Sequence, residues 1–139
     1  MREARNPGEV EAALRLRHRV FVHEQGVAVA ADRDGRDGEA RHVVAVRNGA
    51  LVGTCRVIVD DGLGRLGRMA VEPELRGRGL GATVLEEAER VASAAGAKRM
   101  RLHAQVAARS LYERAGYETV GETFLEEGIE HVTMERPLA

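Results

Sequence analysis

The chain has 139 residues, with 21 Lys and Arg against 22 Asp and Glu and a formal net charge of -1, so no global field draws it to nucleic acid or to an anionic membrane. This length suits a single domain over residues 1–139 with a core of ordinary size. With two Phe and two Tyr there are no platforms for stacking bases, and no apolar run reaches membrane-spanning length.

The charged segment Met1 to Val10 lacks the apolar stretch of a secretion signal. Residues 2 to 5 leave room only for a shortened opening strand. Gly8 to Val22 predicts a helix, because Val10, Ala13, Leu14, Arg17 and Phe21 fall on one side and Pro7 stands near its start. Periodicity is lost from His23 to Ala40, which gathers Asp32, Asp34 and Asp37 with Gly26, Gly35 and Gly38; this predicts a mobile, solvated acidic loop. His42 to Arg47 and Leu51 to Val59 are β-branched runs joined by Asn48-Gly49, a strong hairpin signal. Cys55 lies in the second run and reads as a buried thiol rather than a nucleophile. As the single cysteine it excludes an internal disulfide and fits a reducing compartment, so a cytoplasmic protein is expected.

Asp61 to Gly64 turns into a strand, Arg65 to Val71. Gly79 to Ala95 predicts a helix whose stripe is Val84, Leu85, Ala88, Val91, Ala92 and Ala95, stopped by Gly96. A strand at Arg99 to Gln105 and a short helix at Ala107 to Ala115 follow. The chain closes with a strand pair, Tyr117 to Glu126 and Ile129 to Arg136, around Glu127-Gly128. A hairpin-rich first half with a β-α-β core predicts an α/β (α+β) domain with a mixed sheet flanked by helices.

The chemistry concentrates between Arg65 and Gly81. An apolar strand pattern runs into Glu72-Pro73 and then an Arg/Gly-rich loop, Arg76-Gly77-Arg78-Gly79-Leu80-Gly81, which opens a helix. Glycines let a ligand approach the backbone, and a helix N-terminus offers free N–H groups and positive potential to a diphosphate. The other reading is a tight strand-to-helix turn. No His spacing matches a metal site, and no metal is expected.

The spacing Arg76-x-x-Gly79-x-Gly81, with the later block from Gln105 to Tyr117, resembles the GNAT superfamily of N-acetyltransferases. Phe21-Val22-His23-Glu24-Gln25 and Gly128-Ile129-Glu130-His131, with Glu122, Phe124 and Glu126, resemble its ElaA-type branch of small bacterial acyltransferases. That resemblance implies a mostly antiparallel central sheet splayed between its fourth and fifth strands. It also implies acetyl-CoA as acyl donor and a small-molecule or peptide primary amine as acceptor. Backbone groups of Met69, Ala70 and Val71 would then bond the pantetheine arm. Arg76, Gly77, Arg78, Gly79, Leu80 and Gly81 would hold the diphosphate, and Gln105 the arm, unless it caps the next helix. Tyr112 would touch the cofactor and serve as general acid toward the leaving sulfur, the alternative being a packed tyrosine.

The base is open in the sequence, since Gly67 to Val71 carries no carboxylate; Glu24, Glu72, His42, Glu122 and His131 are candidates. Family context puts Glu24, Glu122 and His131 at the acceptor pocket, with Glu24 either catalytic or held by Arg19. The same context makes the acidic loop a candidate for attracting a cationic acceptor. A noncatalytic acyl-CoA-binding module on the same fold is the competing reading, and exposed strand edges leave a homodimer open.

Overall fold

The computed structural model describes residues 1–138. It opens with the two-residue strand β1 (Arg2–Glu3), followed by helix α1 (Pro7–Arg17), which Asn6 caps by accepting from the Glu9 N–H. Past Arg17 the predicted helix loosens into a π-helical stretch, His18–Glu24. One further turn of helix, α2 (Val29–Asp32), interrupts the segment expected to be irregular.

Strands β2 (Arg41–Arg47), β3 (Ala50–Asp60) and β4 (Leu63–Val71) form an antiparallel meander. Its first turn holds Asn48 at φ 53° and Gly49 at φ 78°, the doubly positive turn whose twist matches the flanking strands. Helix α3 (Leu80–Ala94) crosses back over the sheet, so that β5 (Arg99–Gln105) lies parallel to β4. Helix α4 (Arg109–Arg114) then leads to the hairpin of β6 (Glu118–Glu126) and β7 (Ile129–Pro137). The strands lie in the order β1-β2-β3-β4-β5-β7-β6.

One face of the sheet is the core. Val84, Leu85, Ala88, Val91 and Ala92 of α3 bury against Val43, Cys55, Val57, Leu66, Met100, Leu102 and Met134; each Val, Leu and Met side chain among them contributes about 1.5–3 kcal/mol when it leaves water. On the other face α1 and the π-helical stretch cover the meander through Leu16, Val20 and Ala70. The β5–β7–β6 half of that second face carries Arg101, His103, Gln105, His131 and Phe124 in register and is left to the cleft.

The feature that builds the site is a bulge in β4. Thr54 pairs with Ala70 but Arg56 pairs with Gly67, so Arg68 and Met69 stand opposite Cys55 alone. Arg68 takes φ 56° there, a conformation costly for a side-chain-bearing residue and concentrated at functional sites. The bulge turns β4 away from β5. Their pairing ends at Leu66↔Leu102, although the strands run on to Val71 and Gln105. The expected splay between fourth and fifth strands is therefore present, and it leaves backbone N–H and C=O groups along both arms without ladder partners.

Candidate active site

A cleft of about 990 Å³ follows the splay. Its walls include Met69, Ala70 and Val71 of β4, Arg76, Gly77, Gly79 and Gly81 of the loop, Gln105, Tyr112 and His131. Arg78 and Leu80 instead face a neighbouring cavity of about 300 Å³, which they share with Gly79, Arg47 and Thr83. The loop thus has a cavity on each side.

The loop is open where a ligand would lie. Gly79, the residue before α3, sits at φ 82°, and a Cβ built on it would meet nothing within 4 Å. No side chain caps α3. The first helical bond from the loop is Thr83 N–H to Gly79 C=O at 3.2 Å, so the N–H groups of Leu80, Gly81 and Ala82 have no intrahelical acceptor. Free amides, positive helix potential and a bare glycine surface suit a diphosphate. The unpaired strand edges in the splay suit an extended amide-bearing arm. The residues present therefore fit the phosphate and pantetheine parts of acetyl-CoA.

Arg76 does more than lend charge. Its fork binds Glu24 at 2.6 and 2.9 Å, and its Nε donates to the Val71 carbonyl at 3.1 Å. The guanidinium hydrogen bonds hold the Glu24 carboxyl below its ordinary range. The sequence offered Arg19 as partner for Glu24; in the fold Arg19 pairs with Glu72 instead. Glu24, at the end of the π-helical stretch, reaches the loop and does not line the cleft. Exposed Glu122, next to Gly121 in β6, does not line it either. His42 is buried beside the acidic segment, with Nε2 3.1 Å from the Asp37 carbonyl, also outside the cleft. Among the base candidates, His131 alone lines it.

His131 is 7% exposed, and its Nδ1 lies 2.7 Å from the Ile129 carbonyl. A carbonyl can only accept, so Nδ1 carries the proton and Nε2 is the proton-accepting atom. Glu126 stands beside it, with Oε2 3.6 Å from His131 Nε2 and Oε1 3.1 Å from His103 Nδ1. Phe124 stacks on His131 and meets His103 edge-on. Neither His103 nor Glu126 is among the base candidates the sequence offers. Their grouping follows from the register, in which His103 pairs with Thr133, two residues from His131 on the same face.

Tyr112 is 6% exposed, lines the cleft and packs edge-on against Tyr117 at 6.0 Å. Burial pushes its phenol up from the ordinary value, with nearby Cys55 adding to the shift. No described residue hydrogen-bonds its hydroxyl. Gln105, directly opposite His131 in the β5–β7 register, donates from Nε2 to Gln25 Oε1 at 2.9 Å, which leaves its own oxygen free. Cys55 is buried and its thiol is held protonated by desolvation.

The acidic loop is the largest correction. Expected to be mobile and solvated, it is clamped by arginines. Arg17, fully buried, bonds Asp32 Oδ1 at 3.1 Å, the Asp32 carbonyl at 2.6 Å and Asp37 at 2.7 Å. Arg56 forks onto Asp34 at 2.8 and 2.6 Å, and Arg68 donates to the Ala31 carbonyl at 2.7 Å. Arg17 on the inward side of α1 was the available sign, because a buried charge needs a partner.

The profile of the acetyltransferase (GNAT) domain matches residues 4–138. YjcF of Bacillus subtilis, an uncharacterized N-acetyltransferase, is 33% identical over 132 residues, 94% of each chain. The protein ElaA of Escherichia coli is 34% identical over 134 residues, covering 92% of this chain and 87% of ElaA. Its crystal structure superposes with a TM-score of 0.85 at 30% identity, over 94% of this chain and 92% of that one. An acyl-CoA N-acyltransferase from Pseudomonas aeruginosa gives a TM-score of 0.83 at 32% identity, over 95% and 92% of the two chains. With the loop, the splay and the sheet order, these likenesses identify the chain as a member of the GNAT family, with ElaA among its relatives, and as an N-acetyltransferase.

Proposed function

We propose that the protein acts in the cytoplasm, moving an acetyl group from acetyl-CoA directly to a primary amine while both are bound. One observation carries this reading: Tyr112 and His131, a proton donor and a proton acceptor, face one cleft that begins at the open Gly77–Gly81 loop. Acetyl-CoA supplies the activated acyl group, its carbon–sulfur bond breaking as the carbon–nitrogen bond forms. The free N–H groups from Leu80 to Ala82 and the bare glycines hold the diphosphate, and the unpaired edge at Met69 to Val71 with the free oxygen of Gln105 aligns the arm.

A protonated amine gives up two protons in becoming an amide. His131 takes the first at Nε2 and passes it to water, while Glu126 compensates the imidazolium charge. Tyr112 gives its hydroxyl proton to the departing sulfur and recovers the second. The raised phenol keeps Tyr112 protonated, as a donor must be. Arg76 and Glu24 act as a strut between loop and π-helical stretch, so Glu24 is a positioning residue. Cys55, desolvated and protonated, offers no acyl-enzyme route. The test is thiol release from acetyl-CoA with and without a set of primary amines, alongside the intact mass of the protein. Amine-dependent release from an unmodified protein is expected. Acetyl-CoA binding without amine-dependent release would instead mean a noncatalytic binding module, and a covalently acetylated protein would overturn direct transfer.

A further inference from the structure

The cleft is lined by more arginines than carboxylates. The acids that line it are Asp32, Asp34, Glu126 and Glu127. Asp32 and Asp34 are consumed by Arg17, Arg56 and Arg68, and Glu126 lies between two imidazoles. Opposite them stand arginines with unused donors. Arg65 of β4 and Arg101 of β5 are register partners across the parallel pair, one residue before it ends at Leu66↔Leu102. Both line the cleft. Arg101 uses only its Nε, on Glu135 at 2.6 Å, which leaves its terminal nitrogens free. Arg65 has no ion-pair partner among the described residues.

Like charges set directly opposite on neighbouring strands destabilise a sheet, and Glu135 relieves this pair only from the Arg101 side. Gly67, two residues along β4 on the same face, keeps the floor beside them bare, since a Cβ there would meet nothing within 4 Å. From this geometry, and resting on the acetyltransferase reading above, we infer that the acceptor amine also carries an anionic group, a carboxylate or a phosphate, which Arg65 and Arg101 hold together. Two guanidinium groups lining one cleft from register positions suit an oxyanion, which can take two hydrogen bonds from each. His131 lies opposite Gln105, four residues along β5 from Arg101, about 13 Å of strand. An arginine side chain spans part of that length. The amine and the anion are therefore separated by several bonds, as in an ω-amino carboxylate or an aminoalkyl phosphate, rather than sharing one carbon.

The test compares kcat/KM for matched probes: 5-aminovalerate, pentylamine and cadaverine for the carboxylate arm, and 3-aminopropyl phosphate against 3-aminopropanol for the phosphate arm. The anionic member of an arm is favoured about 10- to 100-fold over its neutral partner, the worth of charge-assisted hydrogen bonds. Which arm shows the preference tells carboxylate from phosphate. Arg65→Gln and Arg101→Gln each collapse that ratio toward one, Arg65→Lys restores part of it, and Arg65→Gln, which breaks the like-charge pair without touching the Arg101–Glu135 contact, raises rather than lowers thermal stability. Equal or better use of the neutral and cationic amines, or a ratio that Arg65→Gln and Arg101→Gln leave unmoved, overturns this inference and leaves the acetyltransferase reading standing. Absence of transfer to every probe and to every other amine tried, with acetyl-CoA still bound, overturns that reading and this inference with it.

Discussion

Replacing Tyr112 by phenylalanine removes one oxygen and tests the proton donor. The ring stays, packed against Tyr117 in the core, and the hydroxyl lost has no hydrogen-bond partner among the described residues. No protein hydrogen bond is broken, so stability should be unchanged or slightly raised. The chemical step should slow by ~10²–10⁴-fold if the phenol protonates the leaving sulfur, which is about 2.7–5.4 kcal/mol of barrier. Because burial pushes the phenol above its ordinary value, the parent should show no alkaline loss from this group until above about pH 10. Single-turnover transfer at saturating acetyl-CoA, followed across the neutral and mildly alkaline range, isolates chemistry from product release. A single-turnover rate equal to the parent's, with donor affinity intact, would make Tyr112 a packing residue and refute the assignment.

Gly79→Val should abolish the thermal upshift given by acetyl-CoA, which for the parent at about 100-fold its Kd amounts to ~2.7 kcal/mol; a folded variant with the full shift would remove the loop from the binding site. His131→Ala should cost ~10²–10⁴-fold in kcat/KM for the amine, and Glu126→Gln about tenfold; isothermal titration should find donor affinity the same in both. Asp34 is held below the ordinary carboxylate range by hydrogen bonds from Arg56, and Asp37 is also lowered, the Arg17 and Arg56 contacts outweighing the burial that opposes them. A lowered native value stabilises the fold above the unfolded value and is lost on acidification, so melting temperature should fall as pH drops below about 4. Asp34→Asn should melt lower than the parent at neutral pH and lose less on acidification; an identical pH profile would mean that the clamp contributes nothing.

The sequence made visible what is local. Asn48-Gly49 and Glu127-Gly128 mark turns because their conformational demand lies in the dipeptide itself. The stripe of α3 is legible because a single face repeats over fifteen residues. The glycine loop and Tyr112 are legible through the same compactness, and the family resemblance joined them. What escaped depends on partners distant in the chain. Asp32 is bonded by Arg17 across 15 residues, Asp34 by Arg56 across 22, and Glu24 by Arg76 across 52. No local pattern distinguishes these carboxylates from solvated ones. The β4 bulge escaped because Arg68 takes the left-handed conformation without the glycine or asparagine that normally announces it. The His103–Glu126–His131 group needed the strand order, since β7 rather than β6 neighbours β5.

Direct acetyl transfer to an amine is tested most sharply by mass-spectrometric identification of products after incubating the purified protein with acetyl-CoA and a mixed panel of primary amines, with coenzyme A release counted in parallel. The expected result is an N-acetylated amine formed in one-to-one proportion with released coenzyme A, greatly reduced by Tyr112→Phe and absent with Gly79→Val. Release of coenzyme A with no acetylated amine, or an acetylated amine formed equally well by Gly79→Val, would contradict it.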